Sequence, residues 1–348
     1  MTSAPGESSR VTISDIAERA GVSIGAVSFA LNGRKGVSET TRERVLRIAD
    51  DLGWAPASAA RSLAESRTET FGMVLARDPG NLSVESFYMQ FLAGLESELG
   101  QRGYGLLLQV VSSREDELAT LQKWRRSRRV DGVLLMDVTI DDPRVTLLSQ
   151  PGSLPAIVVG DPSVAGNLSC VWTDDAKSMR DAVRYLADLG HTAIARVGGL
   201  PHFAHTRIRD DAFMSEMRQR GLDPTLLRTD YTAAEGARAT RDALGAGVAP
   251  TAFVYDNDIM TVAGLSVAME LGRRVPDDLS LIAWDDSVLC EHTFPQLTAL
   301  SHDVVAFGAH VARRLFGVVD GAPRGEHKDS TPLLRPRAST APRKAADY

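Results

Sequence analysis

Residues 20–33 read AGVSIGAVSFALNG. The stretch has the length of a short helix, yet Gly25 stands inside it. A glycine there costs about 1 kcal/mol relative to alanine. Ile24, Ala26 and Phe29 surround it, an apolar set for a surface helix. Working outward, Ser23 is placed to cap this helix, which is expected to run to about Asn32. Upstream, Ser14 is expected to cap "DIAERA", and Gly21 stops it. Downstream, Ser38 caps "ETTRERVLRIADDL", in which Val45, Ile48, Ala49 and Leu52 fall on one face. Gly53 ends that helix and Pro56 follows. Residues 11–56 are therefore expected to form three short helices.

Helix, the three-residue turn "GVS", helix is the spacing of a helix-turn-helix. In that arrangement the second helix lies in the major groove of DNA and its first residues meet base edges. Gly25 then has a use, because bare backbone can approach the groove wall. Ile24 and Ala26 can touch thymine methyls, and the helix start at Ser23 offers backbone N–H groups to a phosphate. Val27 and Leu31, four apart, would face the first helix. The same pattern also fits a helical hairpin that binds nothing.

The 348 residues suffice for two or three domains. No stretch approaches 18 uncharged apolar residues, so no membrane span is expected. "MTSAPGESSR" lacks the apolar centre of a secretory signal, and residues 1–10 are expected to be a disordered tail. Cys170 and Cys290 have no spacing suited to a metal or a disulfide framework. Together these features favour the cytoplasm. The net charge is −6. Residues 1–68 hold nine basic and eight acidic side chains, and the remainder 30 and 37, so the head is +1 and the body −7. Such a body keeps any DNA affinity local to the head.

From Thr70 the texture changes. Apolar runs of strand length ("TFGMVLA", "GYGLLLQVV", "VDGVLLM", "PAIVVG", "TAIARVG", "TAFVYD", "LSLIAWDD") alternate with helical stretches at 86–102, 114–128, 174–190, 208–220, 233–245 and 258–272. Such alternation implies an α/β body of parallel sheets covered on both faces, and its length suits two lobes better than one. The expected division is residues 70–340 as the body, lobe 1 at about 70–160 and 288–317, and lobe 2 at about 161–287 and 318–340. A tail at 341–348 is expected to be frayed. A cleft at the carboxyl ends of the strands would make a small-molecule site.

The segment "VTISDIAERAGVSIGAVSFALNGRKGVSETTRERVLRIADDLGWAPASAARSLA" resembles the headpiece of the lactose/galactose repressor (LacI-type) family. The resemblance implies a ligand-responsive repressor that binds double-stranded, palindromic operator DNA as a homodimer. Its DNA-contacting positions carry over to Ser14, Ser23, Ile24, Gly25, Ala26, Ser28, Phe29 and Asn32. Many relatives have a polar pair at the first two positions of the second helix and arginine or histidine where Phe29 stands. Here methyl contact or shape readout must carry more of the recognition. Packing within the headpiece is the alternative for Phe29. "ARSLA" resembles the hinge helix, placing Ala60, Arg61 and Leu63 in a 57–69 hinge and linker. Leu63 would wedge into a base step from the minor groove; without the resemblance it reads as a linker leucine.

The resemblance continues at lower density through "ESFYMQFLAGLE", "LADLGHTAIARVGG", "YDNDIMTVAGLSVAMELG" and "VPDDLSLIAWDD", with "RAST" as the final strand. It implies a periplasmic-binding-protein-like core. Its effector residues carry over to Phe87, Arg209, Asn257 and Asp285, with Tyr88 and Trp284 as aromatic walls. That set suits a sugar or related metabolite. Plain alternatives stand beside it: surface salt bridges for Arg207 and Arg209, a helix cap for Asp258, a strand end for Asp285–Asp286, and a core position for Trp172. His202 and His205 lack a third ligand, so no metal and no cofactor are expected. The chain has no G-x-G-x-x-G after the first strand and no Walker loop, so an enzyme is not expected. A secreted solute-binding protein would have no reason for the head. A regulator that senses a partner protein instead of a free ligand fits the same body.

Overall fold

The computed structural model describes residues 11–54, 67–77, 85–247 and 249–343. It divides into two compact units, residues 1–68 and 69–348. The first unit holds helices α1 (Ile13–Ala20), α2 (Ile24–Leu31) and α3 (Glu39–Asp51). Thr12, not Ser14, stands at the start of α1. The Asp15 carboxylate accepts from the Thr12 amide at 2.7 Å and the Thr12 hydroxyl at 2.8 Å. Asp at the third helical position turns back on Thr12 here, while Ser14 lies already inside the helix. Gly21 adopts φ +64°, and its amide reaches the Glu18 carbonyl. Only glycine takes that left-handed turn without cost. Ser23 and Ser38 cap α2 and α3 through their hydroxyls. Ile16, Val27 and Val45 are wholly buried, and Ala17, Ala20, Ala30 and Ala49 fill the space between them. Ile48, Leu52 and Leu31 close the edge. The expected hinge residues Ala60, Arg61 and Leu63 lie outside the described residues.

The second unit is α/β. Its first sheet contains β1 (Thr70–Ala76), β2 (Gly105–Val111), β3 (Gly132–Leu135), β4 (Ala156–Val159), β5 (Ser169–Thr173) and β11 (Glu326–Ser330), in the order β11-β5-β4-β3-β1-β2. Its second sheet contains β6 (Ile194–Gly198), β7 (Thr225–Arg228), β8 (Ala252–Tyr255), β9 (Ser280–Trp284), β10 (Thr298–Ser301) and β12 (Leu333–Arg335), in the order β12-β10-β9-β8-β6-β7. All pairings are parallel except β10–β12. Helices α4 (Ser86–Gly100), α5 (Arg114–Ser127), α6 (Pro143–Leu148) and α12 (Val304–Val319) serve the first sheet. Helices α7 (Asp175–Asp188), α8 (Ala204–Gln219), α9 (Ala233–Leu244) and α10 (Asp258–Glu270) serve the second, with the short α11 (Val288–His292). Helices α4 and α12 approach so closely that a Cβ on Gly94 would overlap the Val305 carbonyl.

The lobe boundaries differ from those drawn on the sequence. Residues 169–173 and 326–330 belong to the first sheet, and residues 298–301 to the second. The chain passes between lobes three times, after β5, β10 and β11, and strand–helix alternation carries no mark of which sheet a strand joins. "RAST" (337–340) is not a strand; the final one is Leu333–Arg335. Ser339 instead stitches two strands, its hydroxyl accepting from the Thr298 amide and donating to the Leu281 carbonyl. The chain stays tied beyond Thr340, with the Arg343 amide on the Leu189 carbonyl. No helix among the described residues is long and apolar enough to cross a membrane.

Candidate functional site

In the first unit, α2 turns Val27 and Ala30 inward and leaves Ile24 and Phe29 in the open, at 53 % and 40 % exposure. Gly25 is exposed, and a Cβ there would meet only the Ser23 hydroxyl, at 3.9 Å. The Ser23 hydroxyl accepts from the Ala26 amide at 3.2 Å. Asn32 folds back on the helix end, its Nδ2 donating to the Ser28 carbonyl at 2.9 Å. Ser14 is exposed on α1, while Ala26 and Ser28 are half-buried. Packing within the headpiece accounts for part of Phe29. One side of the ring rests on Gly36, where a Cβ would stand 2.9 Å away, and the rest faces solvent. Arg34 and Lys35, directly after α2, are exposed.

In the second unit, a cavity between the lobes gathers Phe87, Tyr88, Arg209, Asn257, Trp284 and Asp285. The two aromatics of α4 come from one lobe and the other four from the second. Strand ends and helix starts deliver them: Trp284 and Asp285 close β9, and Asn257 opens α10.

Arg209 is no surface ion pair. Its Nε donates to Asp175 at 2.8 Å and its Nη1 to Asp256 at 3.1 Å, and the guanidinium lies 3.7 Å from the centre of the Trp284 ring. Asp256 also takes both terminal nitrogens of the fully buried Arg196, at 2.9 and 3.0 Å, and the Gly199 amide. Burial alone would raise the Asp256 carboxyl, but the two guanidiniums hold it well below the usual carboxylate range. Arg207, by contrast, is exposed.

Asn257 is committed to the scaffold. Its Oδ1 accepts from the Met260 amide at 2.8 Å and its Nδ2 donates to the Tyr231 carbonyl at 3.0 Å. The Tyr88 hydroxyl donates to Asp137 at 2.7 Å and accepts from Arg77 at 3.1 Å, leaving its ring to line the cavity. Asp285 differs. Among the described residues no hydrogen bond or ion pair reaches its carboxylate, and its backbone sits at φ +66°. Burial pushes its carboxyl up to about 8, against the pull of Arg209 and with the push of Asp258. Glu85 is likewise raised to about 7, first by burial, then by Asp137 and Asp258 against Arg77.

Several lining residues were not foreseen. Arg77, Asp137, Asp175, Asp256, Tyr231 and His205 all reach the cavity. Trp172, read as a core residue, lines it too, because β5 ends at its mouth. Asp258, read as a helix cap, is the first residue of α10, and Asn257 is its cap. The Asp258 carboxylate accepts from the Ile259 amide and, across the lobes, from the Ser86 hydroxyl at 3.3 Å. A second bridge joins the lobes where the Ala204 amide meets the Val138 carbonyl at 2.9 Å. Phe203 is buried there between the guanidiniums of Arg77 and Arg114, at 4.9 and 5.2 Å. The His205 ring bonds the Tyr231 hydroxyl at 2.8 Å, and burial lowers it to about 4, so it stays neutral. Among the described residues no group of three metal-ligating side chains occurs.

The cavity thus presents aromatic walls, one arginine face and an unengaged carboxyl. Apolar C–H faces and hydroxyl groups in one small molecule would satisfy that combination.

Residues 12–57 match the family model described as bacterial regulatory proteins, lacI family, and residues 183–340 match the periplasmic binding protein-like domain. The HTH-type transcriptional regulator CelR of Thermobifida fusca is 32% identical over 317 residues, which are 90% of this chain and 93% of CelR. A LacI family transcriptional regulator from Bifidobacterium animalis subsp. lactis, 37% identical, superposes with a TM-score of 0.74 over 80% of this chain and 100% of that one. The CelR–cellobiose complex, 29% identical, superposes with a TM-score of 0.72 over 95% of this chain and 100% of that one.

Proposed function

The chain belongs to the LacI family of bacterial regulatory proteins, and from that premise we propose a DNA-binding transcriptional repressor whose operator affinity is set by a small carbohydrate in the interlobe cavity. The observation that carries the ligand reading is the convergence of Phe87, Tyr88 and Trp284 with Arg209 and Asp285 on one cavity. Rings cover the C–H faces of a sugar, and the guanidinium and the carboxyl take its hydroxyls. CelR is described in complex with cellobiose, and a saccharide of that kind fits the same reading here.

In the head, Ile24, Gly25, Ala26, Ser28 and Phe29 meet base edges, while Ser14, Ser23 and Asn32 sit toward the backbone phosphates. Leu63, with Ala60 and Arg61 before it, enters the minor groove from the hinge. A homodimer supplies two such heads to a palindrome in the cytoplasm, and no cofactor takes part. Ligand acts by population shift. It binds one arrangement of the lobes better than another and thereby alters the geometry offered to the hinges. Reciprocity follows, since operator must change ligand affinity by the same factor.

A thermal-shift panel of mono- and disaccharides, cellobiose included, and nucleosides tests this, followed by titration of the stabilising compound with and without operator. A saccharide shift that depends on Arg209 supports the reading. A shift only with a partner protein, or equal ligand affinity in both titrations, refutes it.

A further inference from the structure

The recognition helix carries an unusual inventory, and it deepens the reading of α2 as the groove-facing element, on which this inference rests. Ile24–Leu31 reads IGAVSFAL, with no arginine, lysine, asparagine, glutamine, aspartate, glutamate or histidine. Those are the side chains that distinguish bases through paired hydrogen bonds in the major groove. The polar side chains at its two ends are turned onto the helix: the Ser23 hydroxyl accepts from the Ala26 amide, and the Asn32 Nδ2 donates to the Ser28 carbonyl. The one hydroxyl within the helix, that of half-buried Ser28, is held by the Asn32 Nδ2 at 3.4 Å, and a lone hydroxyl makes no paired contact.

What the helix does present is a prepared apolar surface. Ile24 is 53 % and Phe29 40 % exposed, a placement that costs free energy in an isolated head. The Phe29 ring is braced. A Cβ on Gly36 would stand 2.9 and 3.2 Å from its ring carbons, so the glycine makes room for it, and φ +128° there suits glycine alone. Between Ile24 and Phe29, Gly25 adds no bulk and lets the helix lie deep. The major groove offers one apolar group, the C5-methyl of thymine.

We propose that α2 reads pyrimidine C5-methyl groups, so that at its contact positions thymine and 5-methylcytosine are equivalent, whereas uracil and cytosine are not. Telling thymine O4 from cytosine N4 takes an oriented donor or acceptor aimed at the base edge, and the helix offers only the Ser28 hydroxyl, which Asn32 holds. Operator affinity therefore responds to cytosine methylation at those positions.

The test uses the full chain. Duplexes are first selected from random sequence. At each enriched thymine the best duplex is then remade with uracil, cytosine or 5-methylcytosine in both half-sites, and affinity is read by fluorescence anisotropy at one salt concentration. Burial of one methyl predicts about a four-fold loss per thymine changed to uracil, on the order of ten-fold for both half-sites. Cytosine should lose at least as much, and 5-methylcytosine should restore it. Ile24→Ala and Phe29→Ala should each erase the thymine–uracil difference at one position and leave it unchanged at the others. Uracil binding as tightly as thymine, or 5-methylcytosine binding no better than cytosine, overturns the proposal while leaving the groove reading standing. Failure to enrich any sequence overturns both.

Discussion

Replacing Asp285 by asparagine should stabilise the second unit at pH 8 and do so much less at pH 5. The carboxyl titrates at about 8 in the folded chain, against an ordinary value of 3.8, first because it is buried, and Arg209 offsets only part of that. A carboxyl raised in the folded state makes its stability contribution below the unfolded value and loses it as pH rises through the folded one. Between about pH 4 and pH 8 the folded protein holds a proton that the unfolded chain releases, so stability falls with pH over that window. The full linkage would be about 6 kcal/mol at pH 8. That linkage is an upper bound for a group lining a cavity, so the gain expected at pH 8 is about 2–6 kcal/mol. For a unit of this size each kcal/mol is roughly 2 °C in Tm. Asparagine keeps the shape, removes the charge and tolerates the φ of +66° better than most residues. Melting curves of wild type and Asp285→Asn at pH 5 and pH 8 decide the matter. Equal melting at pH 8, or the same shift at both values, refutes the reasoning. The variant should also lose any saccharide-induced shift, since a ligand site is where stability yields to function.

Arg196→Met should cost about 3–5 kcal/mol, because Asp256 and Asp210 are then buried with a partner missing, and urea unfolding reads it. Adding Asp256→Asn should recover part of that loss. Ile16→Ala should cost about 2–4 kcal/mol in a small three-helix unit and abolish its helical NMR signals while the second unit still melts as before. Gly94→Ala should destabilise the first lobe strongly, since helices α4 and α12 would have to part, visible as a lowered Tm. Leu63→Ala should weaken operator binding with the circular dichroism spectrum and Tm unchanged; superimposable binding curves refute the wedge.

The periodic parts of the fold were open to reading in the sequence. "TFGMVLA" is β1 to the residue, and the apolar face of α3 is the one expected. What escaped was polar or short. β11 reads EHKDS and shows no strand pattern, yet it pairs beside β5 at a sheet edge where solvent accepts its side chains. Thr12 displaced Ser14 as the start of α1 because Asp15 could fold back to it. The six foreseen effector positions do share one cavity, but Asn257 and the hydroxyl of Tyr88 serve the scaffold. Arg77, Asp137 and Asp256 were missed because they act through partners some 50 or 60 residues away. An isolated "LARD" or "VYDND" gives no sign of such a partner.

The most direct measurement is a competition titration of the full-length protein on a selected palindrome against a scrambled duplex of equal length, at fixed salt. A paired head predicts a preference of about a thousand-fold or more, carried by a dimer. Equal affinity for the two duplexes, or binding by a single subunit to one half-site with no gain from the second, would contradict it.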